Sequence, residues 1–145
     1  MTGKQDNDRP RDRSVAIITR GDAILMEKVR YFGREFFTIP GGGIEDGETP
    51  EEAVIREVKE ECGVDGVIIR PLTVQYRSEG NIEYSFEVEI GEDQTPVLGY
   101  DPEEAPESPA LLEVAWRSLS EISERDRAYL MGYGLINIPR FVDKL

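Results

Sequence analysis

The chain has 145 residues, the size of one domain, and can bury a hydrophobic core without disulfide or metal staples. Its formal net charge of −13, from 30 acidic against 17 basic residues, argues against polymeric nucleic acid and anionic membrane as partners. The single cysteine, Cys62, excludes an intramolecular disulfide framework, and the absence of histidine removes the commonest general base and zinc ligand.

Taken in chain order, residues 1–13 are polar and charged, with no apolar run. They read as a mobile tail without a signal peptide, ahead of one domain over residues 14–145. Residues 14–20 (SVAIITR) form a β-rich run, Gly21 and Asp22 give a hairpin turn, and residues 23–29 answer as a second strand. Residues 36–39 form a short strand stopped by Pro40 and three glycines. A helix is expected over residues 50–62, then two strands over residues 67–75 and 82–90. Residues 91–109 are acidic and carry four prolines, the pattern of a long loop. A short strand over residues 114–116 and a helical segment from Ser120, broken near Gly132 and Gly134, complete the chain. Strands outnumber helices, which predicts an α/β domain with a mixed sheet. Nothing approaches the length of a membrane span. The lone cysteine and the missing signal peptide lead to the expectation of a cytoplasmic protein.

The expected helix has well-marked ends. Thr49 is placed to cap it, Pro50 suits the first helical position, and Glu52 completes a capping box. Gly63 is placed to end it in a left-handed conformation. On an ideal wheel Val54, Ile55, Val58 and Cys62 share the core side. Glu57, Glu60 and Glu61 share another, with Ala53 among them. Arg56 beside them can bridge to Glu52 and Glu60. An acidic helix face in an acidic protein is ordinarily solvated surface. It is also what a hard divalent cation requires, and with no histidine present, carboxylates must supply any metal chemistry. They suit magnesium or manganese better than zinc. Pro40 and the following glycines let the backbone turn and approach a ligand closely.

The two features occur together. From Gly42 the chain reads GGIEDGETPEEAVIREVKEECGV, which resembles the Nudix box of the Nudix (MutT-like) hydrolases. Gly42, Glu48, Arg56, Glu57, Val58, Glu60, Glu61, Gly63 and Val64 match the motif, and no position departs from it. A chance match is on the order of one in a hundred thousand. Phe37 and Pro40 fit the family's approach to the box, and Trp116 opens a stretch like its late strand. The resemblance implies an α/β/α sandwich around a mixed β-sheet. It implies hydrolysis of a diphosphate linkage in a nucleoside diphosphate linked to a group X, by water attack on phosphorus, with Mg2+ or Mn2+ as cofactor. It makes Glu57 and Glu61 the main metal ligands and Glu60 a further ligand, direct or through water, that helps activate the water. Arg56 would hold the glutamates, with Gly41, Gly42, Glu48 and Gly63 shaping the loop and helix.

Members often add a carboxylate from outside the box. Glu113 is the first candidate here, with Glu104 and Glu107 as alternatives. The substrate is not legible: at the positions where the resembling ADP-ribose and dinucleoside polyphosphate hydrolases carry Pro or Tyr, this chain has Glu79 and Gly80. Tyr31, Phe32, Phe37, Tyr76, Tyr84 and Phe86 include candidates for base stacking, although strand spacing favours core packing for most. Lys28, Arg30, Arg34 and Arg77 are candidates for phosphate contact. Cys62, on the apolar side of the helix, reads as a core residue. The expected partner is a small nucleotide-like diphosphate, not a nucleic-acid polymer or a membrane, and a homodimer is compatible with the sequence. The rival reading, a non-catalytic nucleotide-sensing module of the same fold, would tolerate loss of the box glutamates, and all are present.

Overall fold

The computed structural model describes residues 9–99 and 110–142. The elements run β1 (Arg13–Arg20), β2 (Ala23–Tyr31), β3 (Arg34–Thr38), β4 (Gly41–Gly43), α1 (Pro50–Cys62), β5 (Val67–Tyr76), β6 (Ile82–Glu89) and β7 (Ala110–Ser118). Helix α2 (Glu124–Gly132), a 3-10 turn (Leu135–Asn137) and α3 (Pro139–Val142) follow. The sheet is mixed. Strand β1 runs parallel to β6 and antiparallel to β2 and β4, and β2 also pairs with β3 and β7. Strand β5 pairs with β6 at one end of the order.

Strand periodicity divides the core between two faces. From β1, Ala16 and Ile18 pack with Val54, Val58 and Cys62 of α1. Val15 and Ile17 go to the other face, with Leu130 of α2, Leu135 and Phe141. Strand β2 does the same, sending Leu25 to the α1 side and Ile24 and Met26 to the α2 side. Burial on both faces explains why these strands read as apolar runs without clean alternation. Helices on both faces of a mixed sheet make the expected α/β/α sandwich.

Several boundaries differ from the sequence reading, each for a local reason. Strand β3 begins at Arg34 because Phe32 and Gly33 form a two-residue turn, with φ of 50° and 76°. A phenylalanine at positive φ gives no turn signal in a sequence. The glycines expected to be only a turn form β4, laddered to β1. At Gly41 a Cβ would collide with the backbone of Ser14 and Val15. Strand β7 is longer than expected because its ladder with β2 extends to Ala110, with one bulge between Lys28 and Val29. Strand β1 starts at Arg13, and just before it the Asp12 carboxylate accepts from the Ile82 N–H at 2.8 Å. Glu104 and Glu107 lie outside the described residues, as does the segment 100–109 of the expected loop.

Helix α1 forms over the expected span. Both bonds of the Thr49/Glu52 capping box are present, and Gly63 closes the helix at φ 69°, its N–H bonded to the Lys59 carbonyl. A Cβ at Gly63 would lie 3.0 Å from Cγ2 of Val97 and would adopt a backbone conformation unfavourable for a β-branched residue. Gly63→Val is therefore expected to lower stability by more than about 1 kcal/mol. Denaturant unfolding measures this, and an unchanged midpoint would contradict the cap.

Candidate active site

The capped start of α1 fixes its rotation, and that separates the three glutamates. At about 100° per residue, Glu57 and Glu61 lie roughly 40° apart on the wheel, whereas Glu60 is about 100° from Glu61. Glu57 and Glu61 accordingly face β4. The Gly41 N–H donates to Glu61 Oε1 at 2.9 Å. Gly42 has no side chain where a Cβ would fall 2.6 Å from Oε1 of Glu57. Glu60 stays at the rim, with its side chain 56% exposed. The same rotation buries Ala53 and leaves Ile55 only partly buried, so these two exchange the environments expected from the wheel.

Arg56 holds the cluster together. Its Nε donates to Glu48 Oε2 at 2.7 Å, its Nη1 to Glu57 Oε1 at 2.9 Å and to Glu60 Oε2 at 3.2 Å, and its Nη2 to the Gly43 carbonyl at 2.9 Å. The expected bridge to Glu52 is replaced by these bonds, because the Glu52 carboxylate accepts from the Thr49 N–H in the cap. The Arg56 guanidinium holds the Glu48 carboxyl down to about 2. Burial pushes Glu57 up in spite of Arg56, which opposes it.

The carboxylate that joins the box glutamates is Glu27 of β2, which the sequence reading missed. Its residue is 3% exposed, it shares a hydrogen bond with Glu61, and it accepts from the Cys62 thiol at 3.6 Å. Two carboxyl groups joined by a hydrogen bond hold a proton between them. Burial raises Glu27 to about 7, and burial together with the Glu27 charge raises Glu61. A signal was available: Glu27 directly follows the apolar run Ile24, Leu25 and Met26, all fully buried, a place where an unpaired acid is costly. Glu113, in contrast, is exposed on β7 opposite Lys28. Neighbours along β2 alternate faces, so Glu113 and Lys28 project away from the face that carries Glu27. The structure brings Glu57, Glu61 and Glu27 together and leaves Glu113 outside.

These groups form part of one cleft of about 540 Å3. Its wall continues through Val29 and Phe36, which are cross-strand partners on β2 and β3. Arg13, Glu83 and the α2-side tyrosines Tyr129 and Tyr133 complete it. Phe36 is 41% exposed there. Of the aromatic candidates named from the sequence, Phe86 is buried, Phe37 and Tyr84 pack against the core, and Tyr76 is 81% exposed. A larger hollow of about 670 Å3 lies outside α1 between Ile55 and Val67, away from Glu57 and Glu61.

As the side chains stand, no three acidic, cysteine or histidine groups among the described residues enclose a metal position. Arg56 engages Glu57, while Glu27 and Glu61 engage each other. The donor set nevertheless fits a hard divalent cation. It offers carboxylate oxygens only, two of its members repel unless a proton or cation separates them, and glycine clears the space beside Glu57. Gly42→Ala would press a methyl group onto the Glu57 carboxylate. A displacement of that size is expected to lower turnover about a hundredfold, read as kcat/KM across a magnesium series. Wild-type values at low magnesium would contradict it.

The family description NUDIX domain matches residues 9–132. The chain belongs to the Nudix family. MutT4 of Mycobacterium tuberculosis (strain CDC 1551 / Oshkosh) is 33% identical over 123 residues, covering 81% of this chain and 44% of that protein. An RNA pyrophosphohydrolase of Marinomonas sp. (strain MWYL1) is 40% identical over 60 residues, 41% of this chain and 35% of that one. The chain thus spans less than half the length of these curated relatives. The crystal structure of a C. elegans Ap4A hydrolase binary complex superposes with a TM-score of 0.66 at 18% identity, over 92% of this chain and all of that one, which shows the Nudix fold. No helix among the described residues is long and apolar enough to cross a membrane.

Proposed function

We propose that this Nudix protein is a divalent-metal-dependent hydrolase, cleaving a diphosphate linkage between a nucleoside diphosphate and a group X by water attack on phosphorus. The observation that carries the reading is the convergence of Glu57, Glu61 and buried Glu27 beside the side-chain-free edge of β4. Glu57 and Glu61 would hold Mg2+ or Mn2+, with Glu27 behind Glu61. Such an ion, when bound, neutralises the diphosphate oxygens and lowers the pKa of a coordinated water. Arg56 restrains Glu57 and Glu60 in one geometry, and Glu48 anchors Arg56 from the loop. Glu60, at the exposed rim, is placed to complete the ligand set directly or through water and to take the proton of the attacking water.

A net charge of −13 favours a small substrate in the cytoplasm over an RNA polymer. Several relatives are nevertheless named for RNA: one an NAD-capped RNA hydrolase, others RNA pyrophosphohydrolases. The test is therefore a panel of ADP-ribose, nucleotide sugars, dinucleoside polyphosphates, oxidised nucleoside triphosphates and capped RNA, assayed with magnesium and with chelator. Magnesium-dependent cleavage of a small diphosphate is expected. Turnover that persists in chelator, or confined to RNA, would contradict the reading.

A further inference from the structure

The cleft presents four carboxylates, Glu27, Glu57, Glu61 and Glu83, and one basic side chain, Arg13. A diphosphate entering it meets strong repulsion except where a cation stands. Arg13 opens β1 with Gly43 of β4 on one side and Glu83 of β6 on the other. Its Nε lies 3.3 Å from Glu83 Oε2, while its side chain remains 46% exposed. No bond from Nη1 or Nη2 of Arg13 is found among the described residues.

Glu83 does not consume the Arg13 charge. Its carboxylate is 7% exposed and takes the Tyr133 hydroxyl on Oε1 at 2.6 Å, with Arg77 Nη1 3.4 Å from the same oxygen. One arginine is enough to neutralise one carboxylate, so the trio of Arg13, Glu83 and Arg77 leaves a surplus positive charge at the cleft. Burial, reinforced by Glu83, raises the Tyr133 hydroxyl and keeps it a donor. Held through Nε, the guanidinium keeps its outer edge for a second acceptor, the geometry with which arginine receives a phosphate.

We propose that Arg13, aligned by Glu83 and Tyr133, is the side chain that binds the diphosphate of the substrate across the cleft from Glu57 and Glu61. Arg13 touches the ligand, whereas Glu83 and Tyr133 are positioning residues acting through it. The proposal rests on the diphosphate reading above. Fixed charge at this place acts chiefly on binding, so its loss raises KM more than it lowers kcat.

The test compares full-length wild type, Arg13→Gln, Arg13→Lys, Tyr133→Phe and Arg77→Gln in magnesium. One probe is methylenediphosphonate, which is not hydrolysed, with binding followed by calorimetry. The other is the steady state with whichever nucleotide the panel identifies. Arg13→Gln is expected to weaken methylenediphosphonate binding at least tenfold and to raise KM by a similar factor, with kcat within about threefold. Arg13→Lys restores part of the affinity, since it returns the charge without the fork. Tyr133→Phe gives a smaller loss in the same direction, and so does Arg77→Gln, since Glu83 then draws on the Arg13 charge alone. Wild-type affinity and KM in a folded Arg13→Gln protein would overturn the proposal while leaving the hydrolase reading intact. Wild type that binds the analogue through Arg13 but cleaves nothing on the panel would support Arg13 and defeat the hydrolase reading. Absence of analogue binding to wild type would overturn the proposal itself.

Discussion

Glu61→Gln is expected to leave the fold intact and to lower turnover by several orders of magnitude. The amide keeps the shape, its oxygen still accepts from the Gly41 N–H, and its NH2 donates to Glu27 in place of the shared proton. Nothing in the packing of α1 against β4 is lost. What disappears is the negative charge beside Glu57, one turn away on the helix, which the proposed cation site requires. Turnover is measured at saturating magnesium with a parallel unfolding curve. A folded Glu61→Gln protein with near wild-type turnover would remove Glu61 from the ligand set.

Magnesium or manganese is expected to raise the melting temperature of the wild type far more than sodium at matched ionic strength. A cation that binds only the folded chain stabilises it by about 2.7 kcal/mol at a hundred times its dissociation constant, whereas added salt merely screens the whole acidic surface. Replacing Glu57 and Glu61 together by Gln removes most of the magnesium-specific shift and stabilises the metal-free protein by relieving repulsion. The chelated wild type should also lose stability as pH rises. Glu27 and Glu61 are raised in the folded state, so the folded chain holds protons more tightly than the unfolded one. Their contribution is complete below the ordinary glutamate value of about 4.5 and is lost as pH passes the folded value, about 7 for Glu27. Equal magnesium shifts in wild type and double variant would place the cation elsewhere.

Helix α1 was legible to the residue because its ends are written in local chemistry: Thr49, Pro50 and Glu52 at the start, Gly63 at the finish. The faces on which Glu57 and Glu61 lie followed from the same local periodicity. What was not legible depends on partners distant in sequence. Glu27 becomes part of the site only because the second strand passes beneath the last turn of α1, a contact between segments 35 residues apart. Glu113 was preferred for its place before a strand, but the face on which a strand residue lies depends on register. Its pairing with Lys28 turns it away from the cleft. The glycines gave a turn signal, and their ladder with β1 was invisible because glycine has no strand preference of its own. Arg13 was assigned to a tail because polar composition masks a strand that begins under a neighbouring ladder.

The central claim is that Glu57 and Glu61, with Glu27 behind them, form the divalent-cation site of this Nudix protein. Direct titration of Mn2+ into the chelator-treated protein, followed by the loss of the free-ion electron paramagnetic resonance signal, tests it. Saturable binding to wild type is predicted, weakened at least tenfold in the Glu57→Gln/Glu61→Gln variant and measurably in Glu27→Gln, with Glu113→Gln unchanged. Equal Mn2+ affinity in wild type and the double variant would contradict the account.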